Sequence, residues 1–249
     1  MSAPDSQDTR ITPLTVPDDG MPQHFRRVVS FHPRGGRLNP VQRRSWDTHA
    51  DAWYIEASDV VEGGFNAPEH FGRNAPLIVE IGSGMGEATA GMAANRPDIN
   101  VLAIEVYKPG VAQTFYHLAK AGVENVRVMR GDAVEILEVL IKAGSVAEIW
   151  LFFPDPWPKT KHLKRRLVNP EFAALVASRL TTDGIFRLGT DWEPYAEQMM
   201  EVISAEPTLT NMHDGFAPRP AFRPQTRFER RGVTAGRAIF DLEFQRREL

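Results

Sequence analysis

Two rhythms of apolar spacing alternate along most of this chain. Short apolar runs are followed by stretches whose apolar positions fall three or four apart, the strand and helix periods. The runs predict strands at Leu77–Gly82, Val101–Glu105, Val126–Met129, Val146–Phe153 and Gly184–Gly189. Between them, residues 86–95 read as a helix of modest periodicity, and 109–120 carry Val111, Phe115 and Leu118 on one helical face. Val134, Leu137, Leu140 and Ile141 mark the next helix. Asn169-Pro170 reads as an N-cap with proline in the first turn, opening a helix with Phe172, Leu175 and Val176. Tyr195, Met199, Val202 and Ile203 give another. Residues 206–236, rich in Pro and Arg, read as loop, and Ala238–Phe244 as a last strand. Strands alternating with helices predict an α/β fold, doubly wound, with a mostly parallel sheet and helices on both faces.

Before residue 73 the rhythm is absent. Residues 1–22 are polar and read as a disordered tail. Residues 23–72 read as a basic arm and a packing segment in which Trp46, Trp53, Tyr54 and Ile55 lean on the main body. Residues 73–249 are then the folded domain.

Composition narrows the chemistry. The 249 residues include no cysteine, so disulfides, thiolate metal sites and a cysteine nucleophile are excluded. No apolar run approaches the length of a membrane span. The first ten residues lack the apolar core of a secretory signal, which predicts a cytoplasmic protein. The seven histidines, His117 and His162 among them, show no metal spacing, so no metal is expected. Net charge is only −3, yet residues 23–46, 156–170 and 219–237 together hold 17 of the 29 basic side chains and one of the 32 acids. Such segregation predicts basic patches on an acidic body, suited to nucleic acid.

In such folds ligands gather where the strands end. The first strand ends in Glu80-Ile81-Gly82-Ser83-Gly84-Met85-Gly86. The dinucleotide fingerprint would need glycine where Glu87 stands, and no Gly-Lys-Ser/Thr follows for a phosphate loop. Glu80 before the glycines suits a cationic ligand better than a phosphate. S-adenosylmethionine carries both a sulfonium and an ammonium. Glu105 ends the second strand, where a carboxylate can accept ribose hydroxyls or stand in solvent. Asp132 follows the third strand; it can accept from an adenine amino group, cap the next helix with Glu135, or do both. Three acids and a G-x-G-x-G at successive strand ends resemble the class I S-adenosylmethionine-dependent methyltransferases.

The fourth strand runs into Phe152-Phe153-Pro154-Asp155-Pro156-Trp157-Pro158-Lys159. Proline on both sides stiffens the presentation of Asp155. Trp157 offers a stacking face for a base, and Lys159 through Arg166 offer phosphate contacts. FFPDPWPKTKHLKRRLVNPEF is similar to the signature of the bacterial tRNA (guanine-N7-)-methyltransferase family. Gly189-Thr190-Asp191 and Thr226-Arg227-Phe228-Glu229 match further segments, as do Ser30-Phe31, Arg34 and Gly36-Arg37-Leu38. The resemblance runs from about residue 29 to the end. The arm departs from it at Pro33 and Gly35-Gly36.

The resemblance implies a seven-stranded sheet with an antiparallel C-terminal strand, and methyl transfer from S-adenosylmethionine to N7 of a guanine in the tRNA variable loop. It implies that Glu80, Gly82, Gly84, Gly86, Glu105, Asp132 and Asp155 hold the cofactor, with Asp155 also the catalytic acid residue. Lys159, Asp191, Thr226, Arg227, Phe228 and Glu229 would bind the substrate. Lys161, His162, Leu163, Lys164, Arg165 and Arg166 would contact RNA. For Asp191 a helix N-cap, and for Thr226–Glu229 an ordered surface loop, are competing structural readings. A catalytically silent RNA-binding protein that retains the fold is the alternative function.

Overall fold

The computed structural model describes residues 30–31, 36–60, 64–234 and 236–248. The tail at 1–22 and most of the arm before residue 36 lie outside the described residues. Helix α1 (Pro40–Trp53) comes first, followed by strand β1 (Tyr54–Ile55) and α2 (Ala67–Phe71). The alternating body follows: β2 (Leu77–Ile81), α3 (Glu87–Asn95), β3 (Asn100–Glu105), α4 (Lys108–Ala121) and β4 (Val126–Arg130). Next come α5 (Ala133–Glu135), running into a π-turn at Ile136–Leu140, then β5 (Val146–Phe152), α6 (Pro170–Arg179), β6 (Leu180–Thr190) and α7 (Glu193–Ser204). Strand β7 (Leu209–Asn211), helix α8 (Arg227–Thr234) and β8 (Phe240–Arg246) end the chain.

The predicted parallel core is present in the order β1-β4-β3-β2-β5-β6-β8-β7. Strand β8 runs antiparallel to both β6 and β7. Eight strands are described rather than seven, because Tyr54 and Ile55 add a short parallel edge beside Val128 and Met129. The expected loop at 206–236 also holds β7 and α8. Helix α8 has no apolar stripe to announce it. Its first turn is fixed instead by the Thr226 hydroxyl, which accepts from the Glu229 amide at 3.1 Å.

Strand alternation divides the core. Val79, Ile81, Leu102, Ile104, Ile149 and Leu151 face one layer with α6 and α7. Ile78, Val101, Ala103, Val128 and Trp150 face the other with α3 and α4. Trp46, Trp53 and Tyr54 lean on that second layer, whereas Ile55 joins the first. Trp46, Trp53 and Tyr54 ring Phe115 of α4 at centroid distances of 5.0–6.4 Å among themselves and to it. Ser45 donates to the Ala112 carbonyl at 2.8 Å, and the Lys108 ammonium lies 4.5 Å from the Trp46 ring centre. Asn39 caps α1 through a closed capping box with Gln42. Among the described residues no helix is long and apolar enough to cross a membrane.

Candidate functional site

The chain reverses its winding between β2 and β5, the place where a doubly wound sheet opens a crevice. A cavity of about 270 Å³ lies there. It is lined by the ends of four parallel strands: Ile81, Gly82, Gly84 and Met85; Ile104 to Tyr107; Gly131 to Ala133; and Leu151 to Asp155. Ser30 and Phe31 of the arm and Leu167 complete the wall.

The three glycines serve different ends. Gly82 and Gly84 have φ of 73° and 61°, and a Cβ on either would point into open space. Their backbone is the part of the turn that a ligand can approach closely. Gly86, at φ 77°, does not line the cavity. A Cβ there would come within 2.6 Å of Thr114, so Gly86 lets α3 pack on α4. Glu105 holds the turn from the next strand. Its carboxylate accepts from the Gly84 amide at 2.7 Å and the Tyr107 amide at 2.8 Å. Asp132 lines the cavity and also caps α5, accepting from the Val134 amide at 2.9 Å, so both readings of that residue are compatible.

Glu80 is brought near this turn but not into the cavity wall. It faces the α3 layer, is fully buried, and its Oε2 has no hydrogen-bond partner among the described residues. Burial pushes its carboxyl up to about 7, with the Thr89 hydroxyl opposing and the Glu105 charge adding to the rise.

Asp155 lies in the cavity wall beside the glycine turn. Among the described residues no hydrogen bond or ion pair occupies its carboxylate. The turn that carries it is strained. Phe153 and Trp157 adopt φ of 55° and 43°, a left-handed backbone that disfavours large side chains. Surrounding contacts hold both. The Phe153 amide donates to the Gly189 carbonyl at 2.7 Å. Trp157 is 6% exposed; its indole N–H donates to the Ser30 carbonyl at 2.9 Å, the Arg165 guanidinium lies 3.6 Å from its ring centre, and His162 stacks at 5.8 Å. The expected stacking face for a base is therefore occupied from within the protein.

The basic stretch divides in the same way. Lys159, Lys161 and Lys164 are exposed, as is Leu163 at 39%. Arg165 donates to the Phe31 carbonyl at 2.8 Å. Arg166 departs furthest from the expectation of RNA contact. It is buried, donates to the Pro156 carbonyl at 2.9 Å, the Pro194 carbonyl at 3.2 Å and Gln198 at 2.5 Å, and covers the Tyr195 ring. A guanidinium with five donors in a plane can tie three elements at once, which an exposed lysine cannot.

The segments expected to bind substrate are similarly mixed. Asp191 is not the cap of α7; Trp192 holds that position, and Asp191 pairs with Arg237 at 3.0 Å beside Gly232 of α8. Glu229 is buried rather than displayed on a surface loop. Arg219 grips it at 2.8 and 3.2 Å, and Arg223 approaches at 3.4 Å. Burial works against its charge, but these guanidinium bonds hold its carboxyl below the usual range. The side chains of Arg227 and Phe228 lie outside the described residues. Sequence reasoning missed Tyr107 in the cavity wall, although a residue two places beyond a strand-ending acid was the signal to follow. It also missed the burial of Arg223 and the pairing of Arg219 with Glu229, for which the sequence carries no periodic signal.

This sheet order, with a glycine turn and acids at the strand ends around one crevice, defines a class I methyltransferase fold. Solved structures bear that out at the level of fold. The 16S rRNA methyltransferase KamB superposes with a TM-score of 0.53 at 16% identity, over 76% of this chain and 99% of that one. TrmN from Thermus thermophilus superposes with a TM-score of 0.51 at 14% identity, over 72% of this chain and 47% of that one. A family model described as a putative methyltransferase matches residues 74–242. The tRNA (guanine-N(7)-)-methyltransferase of Nocardioides sp. is 49% identical, with 90% of each chain covered. Its namesake in Paraburkholderia xenovorans is 43% identical over 94% of this chain and 88% of its own. The chain belongs to the tRNA (guanine-N(7)-)-methyltransferase family.

Proposed function

We propose that this protein transfers a methyl group from S-adenosylmethionine to N7 of a guanine in tRNA, and that Asp155 acts at the reacting end of the cavity. The observation that carries the reading is the convergence of Gly82, Gly84, Glu105, Asp132 and Asp155 on one crevice. The cavity suits the cofactor: open space above two glycine backbones, a carboxylate at the end of each neighbouring strand, and apolar walls from Ile104, Val106 and Leu151. When bound, the cofactor supplies an electrophilic methyl on a sulfonium.

Guanine N7 presents an in-plane lone pair and has no proton to lose, so no general base is needed. What the protein must provide is alignment and exclusion of water. Methylation makes the guanine cationic. The Asp155 carboxylate attracts that charge as it develops, and the prolines around it fix its position in advance. A second carboxylate can accept from N1–H and N2–H on the opposite edge of the guanine, which adenine does not offer. Glu105 and Asp132 act on the cofactor side, Glu105 through the Gly84 amide it holds. Lys159, Lys161 and Lys164 give the exposed phosphate contacts. Thr226 and Glu229 act by setting α8 in place, and Asp191 by pairing with Arg237 at the same helix.

The direct test is incubation with labelled S-adenosylmethionine and unmodified tRNA, followed by mapping of N7-methylguanine through its chemical lability. Label at another atom overturns the substrate assignment. Asp155→Ala is expected to lower turnover by at least about 100-fold while the protein stays folded and binds cofactor. Near-normal turnover in that variant removes Asp155 from its role.

A further inference from the structure

Arg223 looks in the sequence like one more RNA ligand in an arginine-rich segment. In the structure it is 2% exposed and lies behind the turn that carries Asp155. Its guanidinium makes a bidentate pair with Asp241 of β8 at 2.5 and 3.0 Å and reaches Glu229 at 3.4 Å. Its planar face lies 4.8 Å from the ring centre of Phe152 and 5.4 Å from that of Phe153. Strand β6 makes room for it: a Cβ on Gly189 would meet Arg223 Nη1 at 2.7 Å and Phe152 Cδ1 at 3.2 Å.

Phe152 and Phe153 lead directly into Pro154-Asp155, and all four line the cavity. Phe153 carries the left-handed φ from which the turn departs. A strained residue keeps such a conformation only where its surroundings over-determine it. Among the contacts that do so at Phe153 are the bond from its amide to Gly189 and the cation behind its ring. The buried network is a poor source of stability in itself. Arg223 Nε has no partner among the described residues, and desolvating Arg223, Asp241 and Glu229 offsets most of their attraction. Its distinctive effect is geometric, because it ties β8 and α8 to the backbone that aims Asp155.

We propose that Arg223 is a positioning residue for the methyl-transfer step. Anchored on Asp241, it seats Phe152 and Phe153 and thereby fixes the direction in which Asp155 enters the cavity. The inference rests on the reading of Asp155 given above. It also gives Glu229 a specific role. Glu229 sets the far side of the same guanidinium, so the placement of α8 and the aim of Asp155 are one mechanical unit.

A double-mutant cycle tests it, using single-turnover methyl transfer to unmodified tRNA by the full chain. Four proteins are compared: unchanged, Arg223→Lys, Asp155→Asn, and both together. Arg223→Lys keeps a charge for Asp241 but loses the planar face and the bidentate grip. The expected result is a rate lowered about 10- to 100-fold, as for a small misplacement of a reacting group. The half-saturating tRNA concentration and the cofactor Kd should stay within about threefold of the unchanged protein, well short of the tenfold that 1.4 kcal/mol would give. In the Asp155→Asn background, Arg223→Lys should produce no further loss. The same factor in both backgrounds overturns the inference and leaves the Asp155 reading intact. Should Asp155→Asn be as fast as the unchanged protein, that reading falls and the inference with it. If Arg223→Lys does not fold, Gly189→Ala takes its place in the cycle, since the added methyl pushes the guanidinium off Phe152 without removing a charge. An unchanged rate in Gly189→Ala likewise overturns the inference.

Discussion

The two basic segments of the folded domain look alike in the sequence and behave differently in the structure. Residues 159–166 end a strained turn at the mouth of the cavity, and their lysines stand in solvent. Residues 219–229 run behind the same cavity; there Arg223 is buried on Asp241 and Glu229, and the partly exposed Arg219 reaches in to Glu229. Within the first segment the division repeats itself: Lys161 and Lys164 point outward, whereas Arg165 and Arg166 bind backbone carbonyls. The difference lies in side-chain chemistry. An ammonium is a strongly hydrated point charge and stays in water; a guanidinium is planar, weakly hydrated and able to join several acceptors. A count of positive charge overstates the surface available to RNA, because the arginines among it are partly structural.

The sharpest way to break this contrast is to remove an inward acid. Glu229→Ala leaves Arg219 unpaired and Arg223 held by Asp241 alone. The expected loss is about 2–3 kcal/mol, that of the charged hydrogen bonds removed, measured by denaturant unfolding. A loss below about 1 kcal/mol, within the range of exposed pairs, would show that the bonds to Glu229 do not hold this segment in place. The pH dependence follows from the lowered carboxyl of Glu229. A folded-state pKa below the unfolded value stabilises the fold at neutral pH, and this contribution is lost as pH falls through the acid range.

Glu80 supplies the counterpart, an inward acid with no arginine. Its folded pKa, near 7, lies above the unfolded value of 4.5. Between those two values the unfolded chain releases a proton that the folded chain keeps, so stability declines as pH rises and then levels off. Glu80→Gln should therefore flatten the thermal stability of the cofactor-free protein between pH 5 and pH 8. Its advantage over the unchanged protein should grow toward pH 8, to about 3 kcal/mol. Equal pH profiles would show that Glu80 ionises normally.

Arg166→Ala tests the inward member of the first segment. Freed carbonyls at Pro156 and Pro194 predict a loss of about 1–3 kcal/mol, with the salt dependence of tRNA binding unchanged. The smallest effect on the fold belongs to Lys161→Ala with Lys164→Ala. Stability should stay within about 0.5 kcal/mol. The slope of log affinity against log salt should fall by about 0.9 for each phosphate that is no longer neutralised. An unchanged slope removes these lysines from the RNA surface.

Most of the alternating core could be read from the sequence, because a buried parallel strand must be apolar throughout and its helices must carry an apolar stripe. The boundaries shifted only at the ends. The two-residue edge at Tyr54–Ile55 and the short β7 carry too few positions for a period to show. The site was legible to the extent that strand ends converge in a doubly wound sheet. Gly82, Gly84, Glu105, Asp132 and Asp155 all meet at the cavity, whereas Glu80 and Gly86 lie behind it.

What the sequence determined by itself was therefore order along the chain: which segments are strands, which turn carries glycines, which carboxylates stand at strand ends. Those features depend on local spacing. The direction of a long polar side chain does not. Trp157, Arg166, Arg223 and Glu229 took their places only when remote segments arrived beside them: the arm at Ser30, the start of α7 at Pro194, strand β8 at Asp241. Pairing a buried charge is a property of the space it enters, and that space exists only in the folded molecule.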